Sequence, residues 1–279
     1  MNISIVIPAY NEGNTITRCL KSILNGPNSE RIQVIVVCNG CTDDTVANAR
    51  KFEPDVTVLE LKEGSKPRAL NAGDDVATYF PRFYIDADIE VSQSAIWGVA
   101  EYLSTHDVFA AAPRMQIKLD RTSSIVRAYY RAWLNTPYTE RGMLGSGFYA
   151  LSEKGRARFE KFPDIIADDG YMRLLFSLNE RATIQEYSFT IYPPKNLKWL
   201  IKISTRAVLG NYQLEKLYPE LQINEENESV KPVLRSILQK NGVGACIVYF
   251  SLKILFRIHA RFQILTGKTS WDHDPTARS

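Results

Sequence analysis

Four short apolar runs within the first 88 residues constrain this chain more than any other feature. "ISIVIPAY", "IQVIVVC", "VTVLEL" and "RFYIDAD" are β-branched or aromatic almost throughout. That continuity marks strands covered on both faces, because a strand with one wet face would alternate apolar with polar. Helical patterns follow each of them: "NTITRCLKSIL", "DDTVANARKF", "SKPRALNAGDDVATYF" and "SQSAIWGVAEYLST". Strand and helix alternating at this spacing predict right-handed βαβ units in a doubly wound, mostly parallel α/β sheet with helices on both faces. A strand ("VFAAAPRMQI"), a helix ("SSIVRAYYRAWL"), a glycine-rich turn into a strand ("GMLGSGFYALS") and a helix from Asp168 come next. "ATIQEYSFTIYPP" is a last strand, stopped by Pro193 and Pro194. Only helical patterns follow, with "ELQINEENESVKP" as an exposed linker, so residues 1–195 are expected to form the α/β domain and 196–279 a helical extension.

Charge and cysteine content exclude several classes of protein. With 34 basic against 31 acidic residues, the net charge of +3 lacks the clustered basic excess of a nucleic-acid binder, and no nucleic-acid partner is expected. Four cysteines, Cys19, Cys38, Cys41 and Cys246, make no disulfide framework in a chain of 279 residues. The start, "MNISIVIPAYNE", has no signal-peptide pattern. No apolar run reads as the ~18 residues of a spanning helix, so a cytoplasmic location is expected. His106, His259 and His273 show no ligand spacing.

In open α/β sheets ligands bind beyond the carboxyl ends of the parallel strands. Those positions are Pro8 to Glu12, Cys38 to Asp44, Lys62 to Arg68 and Asp86 to Asp88, and all four groups are polar, small or charged. Asp86 and Asp88 in "IDAD" stand two apart at a strand end, so in extended backbone both carboxylates project to one side. Such a pair suits a hard divalent cation, Mg²⁺ or Mn²⁺, that bridges substrate phosphates. In "IVIPAYNEGN", Tyr10 can stack on a base while Asn11 and Glu12 bond a base edge or ribose. The same residues also make a serviceable strand-to-helix turn. Lys66 and Arg68 lie at a helix start, where free backbone N–H groups and charge favour a diphosphate.

These motifs, "IVIPAYNE", "VVCNGCTDDT", "KPRALNAG" and "YIDADIEV", stand in the order and spacing of glycosyltransferase family 2, and the resemblance covers about residues 1–195. It implies a GT-A fold that binds a nucleotide-diphosphate sugar through a D-x-D and a divalent metal (Asp86 and Asp88 here), with inverting, hexosyltransferase-like transfer to a saccharide, lipid-linked or small-molecule acceptor. Pro8, Ala9, Tyr10, Glu12, Asn39 and Ala87 fall in the donor-binding motifs. Cys38 stands where the family has an acidic residue that resembles a uracil contact, which leaves the donor base open. "GSGFYALS", with Gly145, Ser146 and Gly147, resembles the family's glycine-rich strand against the donor sugar. In "IIADDGYMRLLF" the family's Glu-Asp pair maps onto Asp168 and Asp169, with Asp169 as the catalytic base. Arg206 matches an Arg that reaches the diphosphate or acceptor, and the Q-x-x-R-W of processive synthases is absent. Against this background the C-x-x-C of Cys38 and Cys41 has no further pair of zinc ligands, and its sulfurs read as incidental to a turn. A redox pair and a non-catalytic nucleotide-binding module of the same fold are the alternatives.

"GVGACIVYFSLKILFRIHARFQILTGK" is a long apolar helix with Lys253, Arg257 and Arg261 in an i, i+4, i+8 stripe. Residues 243–265 are expected either to pack on the chain's own body or on a second copy in a homodimer, or to lie peripherally on the inner face of a membrane.

Overall fold

The computed structural model describes residues 1–136, 139, 146–225 and 229–267. Gly145 lies outside the described residues, as do the start of the glycine-rich turn and residues 226–228 of the linker. Strands β1 (Ile3–Ala9), β2 (Ile32–Asn39), β3 (Val56–Leu61), β4 (Arg82–Ile85) and β6 (Ala110–Ile117) fall where the apolar runs place them. So do β7 (Phe148–Leu151) and β8 (Arg181–Ile191), whereas β5 (Glu90–Val91) is a two-residue strand without a legible period. Among the described residues the eight strands form one sheet in the order β3-β2-β1-β4-β7-β6-β8-β5. The sheet is mostly parallel, and β7 and β5 run against the rest. Every residue of β1 is buried, and all but one of β2, so both faces of the sheet's centre are covered, as the continuous apolar runs require.

The helices between the strands are α1 (Ile16–Leu24), α2 (Thr45–Arg50), α3 (Lys66–Val76) and α4 (Gln93–Thr105). After them come α5 (Ser124–Trp133), the short α6 (Glu153–Arg156) and α7 (Asp168–Leu175). Ser65 starts α3 by accepting the Arg68 N–H, and Ser92 starts α4 by accepting that of Ala95. Beyond β8, α8 (Leu197–Leu217) and α9 (Val230–Thr266) form a second apolar core with α5, in which Val126, Leu200, Ile237, Tyr249 and Phe256 are buried. α9 breaks at Gly242, where φ is 81°. By length and composition α9 is able to cross a membrane, which corrects the expectation that no apolar segment reaches that length.

A buried ionic cluster fastens α3 to β4 in the middle of the sheet. The Asp74 carboxylate accepts from Arg82 at 2.5 Å, from Arg156 at 2.6 Å, and from the Tyr84 hydroxyl. Burial pushes the Asp74 pKa up, but the hydrogen bonds from Arg156, Tyr84 and Arg82 outweigh it and hold the group below its ordinary value. Removing one partner of such a cluster strands buried charge, so Asp74→Ala is expected to lower the unfolding free energy by about 3–5 kcal/mol in urea denaturation at neutral pH. The unfolded pKa is near 3.9 and the folded one lies below it. The contribution is therefore complete above about pH 4, and the gap between wild type and variant closes as pH falls through the folded value.

Candidate active site

The site is built from loops at the carboxyl ends of β1, β2, β3 and β4, and their own side chains hold them to one another. Asn11 adopts φ 54°, a left-handed conformation that asparagine tolerates. Its Oδ1 accepts the Thr42 N–H at 2.8 Å, while the N–H of Gly13 donates to Asp43 at 3.0 Å and that of Glu12 to the Thr45 hydroxyl at 2.6 Å. Asn39 joins three loops: its amide donates to the Ala9 carbonyl at 2.8 Å, and its Oδ1 accepts the Ser65 N–H at 2.9 Å. Gly40 follows with φ 65°, and a Cβ there would run into the backbone of Gly64 at 2.5 Å. The turn after β2, which carries Cys41 while Cys38 still lies in the strand, is thus a clamp on the Pro8–Gly13 loop.

Cys38 is buried beneath that clamp, level with Ala9 in the β1–β2 register. Its thiol is held neutral by its hydrogen bond to Cys41 and by burial, and the same bond draws Cys41 down to about 7. Both cysteines are free, and neither lines the cavity described below.

The "IDAD" segment is not extended. β4 ends at Ile85, and Asp86 to Ile89 form a turn in which the Ile89 N–H donates to the Asp86 carbonyl at 3.2 Å. The alternation argument for the two carboxylates therefore fails, but the turn brings both to the same cavity wall. Three contacts fix it. The Asp86 N–H donates to the Gly147 carbonyl at 2.8 Å, the Arg18 guanidinium donates to the Asp88 carbonyl at 3.3 Å, and Arg18 pairs with Glu90 at 2.7 Å. Gly147 has φ 79°, and a Cβ there would strike the Asp86 carboxylate, which accounts for the glycine just before β7.

Lys66, the first residue of α3, is the cation at the centre. Its Nζ lies 2.8 Å from Asp86 Oδ1 and 3.2 Å from Asp168 Oδ2. Burial alone would lower its pKa, but the fields of Asp168, Asp86 and Asp169 outweigh that and keep it protonated. Asp168 is 3% exposed, and burial pushes its pKa up to about 6 against the pull of Lys66. Asp169 sits beside it in the first turn of α7, near the positive end of the helix, and is partly open to the cavity.

A cavity of about 770 Å³ unites these groups, a volume in the range of ligand sites. Of the residues expected from the sequence, Pro8, Tyr10, Glu12 and Asn39 line it from the first two loops. Lys66, Asp86, Ala87 and Asp88 line it from α3 and the β4 turn, and Ser146, Asp168, Asp169 and Arg206 from the other side. Ala9, Cys38 and Gly147 stand behind this wall, and Arg68 reaches away to Glu63 at 2.6 Å. Sequence reasoning missed an aromatic wall: Tyr129, Tyr130 and Trp133 from α5, with Tyr249 and Phe256 from α9. Tyr129 stacks on Tyr249 with centroids 5.6 Å apart. The signal is the "AYYRAW" run, which places Tyr129, Tyr130 and Trp133 within five residues of one helix. Lys253, expected on an exposed basic stripe, instead faces this cavity.

Strand order and the crevice at the strand ends are those of a GT-A fold. The chain belongs to glycosyl transferase family 2, whose pattern matches residues 4–173. It is 30% identical over 92 residues to the uncharacterized glycosyltransferase YibD of Escherichia coli (strain K12), covering 32% of this chain and 26% of that one. It is 23% identical over 213 residues to the poly-beta-1,6-N-acetyl-D-glucosamine synthase of Staphylococcus epidermidis, covering 71% of this chain. The chain spans half the length of that synthase, and less of YibD. Among solved structures, the mannosyltransferase PcManGT from Pyrobaculum calidifontis, in complex with GDP-Man and Mn²⁺, superposes with a TM-score of 0.63 at 21% identity. That match covers 95% of this chain and 79% of PcManGT. S. aureus TarS 1-349 in complex with UDP-GlcNAc gives 0.54 at 12% identity, over 99% of this chain and 78% of that one.

Since Lys66 is what pulls Asp168 down, Lys66→Met is expected to move the Asp168 pKa well above about 6. The carboxyl ¹³C shift of Asp168 followed through a pH titration reads this directly. A midpoint unchanged in the variant would mean that the ammonium does not set it.

Proposed function

We propose that this chain is an inverting glycosyltransferase that moves a hexose from a nucleotide-diphosphate sugar to the hydroxyl of a saccharide or lipid-linked acceptor. The observation that carries this reading is the meeting of the Asp86–Asp88 turn, Lys66 and the Asp168–Asp169 pair in one cavity at the strand ends. The α/β domain, residues 1–195, would supply donor binding and catalysis, and the helices from residue 196 onward would complete the acceptor side.

The donor's nucleoside would lie along Pro8, Tyr10, Glu12 and Asn39, and its diphosphate near Lys66 and Arg206. The donor set of the acidic turn fits a divalent ion, because it consists of hard carboxylate oxygens. Among the described residues no group of three or more His, Cys, Asp or Glu side chains encloses a metal, so donor phosphate oxygens would have to complete the coordination. Asp86 and Asp88 would hold Mn²⁺ or Mg²⁺, which when bound neutralises the charge gathering on the leaving diphosphate.

Asp169 is the proposed base. The acceptor hydroxyl gives its proton to the Asp169 carboxylate as its oxygen bonds to the anomeric carbon. The bond from that carbon to the phosphate oxygen breaks on the opposite face, and its electron pair leaves with the nucleoside diphosphate. Lys66 counters the charge of Asp168 beside it, so that Asp169 carries out this step next to a neutralised neighbour. The aromatic wall of Tyr129, Tyr130, Trp133 and Tyr249 offers the apolar faces on which sugar rings pack.

Two measurements test the reading. Thermal shift with UDP, GDP, TDP and CDP, each with and without Mn²⁺, is expected to show metal-dependent stabilisation by one nucleotide that Asp88→Ala abolishes. Asp169→Asn is expected to keep that stabilisation while sugar transfer falls by about 10²–10⁴. Nucleotide binding with transfer absent from the wild type and unchanged by Asp169→Asn would instead make the chain a non-catalytic binding module.

A further inference from the structure

α9 carries a second, outward face that the donor site does not use. Its inner face is spoken for: Cys246, Tyr249, Leu252, Phe256 and Ala260 are buried, in large part against α5. At about 3.6 residues per turn, Val243, Ile247, Ile254, Ile258 and Leu265 fall along one line on the opposite side. There Ile247 is 62% exposed, Ile254 57%, Ile258 58% and Leu265 85%. Phe262, at 63%, widens the stripe. Scattered exposed leucines and isoleucines are ordinary, but a continuous stripe along one helix marks a contact surface.

The charges on α9 select the partner. From Val230 to Thr266 there are six basic residues, Lys231, Arg235, Lys240, Lys253, Arg257 and Arg261, and no Asp or Glu. Lys253 turns into the cavity, while Arg257 and Arg261 are exposed along the flank of the apolar stripe. A two-fold contact of this face with its own copy would bury the flank of these arginines against a segment that carries no carboxylate to pair with them. Crossing a bilayer would strip the inner face from α5 and carry Lys253 and Arg257 into hydrocarbon. Both costs vanish if the helix lies flat on an anionic surface, with its isoleucines among the acyl chains and its arginines at the phosphates.

We propose that the outer face of α9, from Val243 to Leu265, docks on the anionic headgroup surface of a membrane. This goes beyond the donor-site reading and does not depend on it. The same helix presents Tyr249, Lys253 and Phe256 to the cavity from its opposite side, so docking would hold the cavity one helix's thickness from the lipid surface.

The test is sedimentation of the chain with phosphatidylglycerol–phosphatidylcholine vesicles and with phosphatidylcholine vesicles alone, in the absence of nucleotide. The chain is expected to pellet with the anionic vesicles only and to be released as salt is raised from about 0.1 to about 1 M. Ile254→Asp with Ile258→Asp is expected to weaken binding about tenfold or more. Arg257→Gln with Arg261→Gln, which leaves the apolar face intact, is expected to lower anionic binding while thermal unfolding stays unchanged. Failure to pellet with anionic vesicles overturns the proposal, as does equal binding to both vesicle types. So does a dimer in size-exclusion chromatography that the isoleucine substitutions dissociate while vesicle binding persists unchanged. None of these outcomes touches the nucleotide thermal shifts, so this proposal and the donor-site reading can fail separately.

Discussion

The ammonium of Lys66 is the interaction on which the arrangement of the site depends. Asp86, Asp168 and Asp169 converge on one cavity, and Asp168 is buried. Burial and the neighbouring carboxylates both work against the charge of Asp168. A protonated lysine 2.8 Å from one carboxylate and 3.2 Å from another removes most of the repulsion without a bound ligand. Its position is set by secondary structure, because Lys66 opens α3 and the Ser65 cap fixes where that helix begins. Asn39 in turn holds Ser65 from the end of β2. A chain of contacts thus runs from the sheet, through one buried amide and one cap, to the cation that lets the acidic groups coexist.

The sequence motifs around the cavity serve largely to hold backbone. Asn39 spends its side chain on Ala9 and Ser65, Asn11 on Thr42, and Asp43 on Gly13 and Thr45. Asn71 clasps both the N–H and the carbonyl of Phe162, at 2.8 and 3.1 Å. A Cβ on Gly73 would collide with Val6, so that glycine permits close packing of α3 on β1. These bonds make the loops rigid before any ligand arrives, which lowers the ordering cost of binding. They also explain the incidental cysteines: in the clamp formed by the β2–α2 loop it is the asparagine, the glycine and the threonines that are required.

How much was legible in the sequence follows from range. The strands and helices up to β6, β5 excepted, were readable because their periodicity is local, and the polar groups at the strand ends were readable because a parallel sheet gathers them. β7 inserted antiparallel between β4 and β6, and β5 added beside β8, were not readable, since pairing between distant segments leaves no local period. For the same reason the extended geometry assumed for Asp86 and Asp88 was wrong while their common destination was right. The strand end was predictable, but the turn after it is fixed by Gly147 and Arg18, which come from elsewhere in the chain. The aromatic wall was missed because Tyr129 and Tyr249 are 120 positions apart and meet only through the second core.

That second core changes the meaning of the C-terminal helices. A helix that merely covered the α/β domain would need one apolar face. α9 has one face, carrying Tyr249 and Phe256, that packs on α5 and α8 and reaches the cavity, and an apolar face left open on the opposite side. Such a helix is held in place by the packed face, so the open face keeps a fixed relation to the cavity. The break at Gly242 frees this segment from the preceding turns, so its direction is set by the packing of Tyr249 and Phe256 on Tyr129. The same tyrosine lines the cavity, and the orientation of the open face is therefore tied to the shape of the aromatic wall.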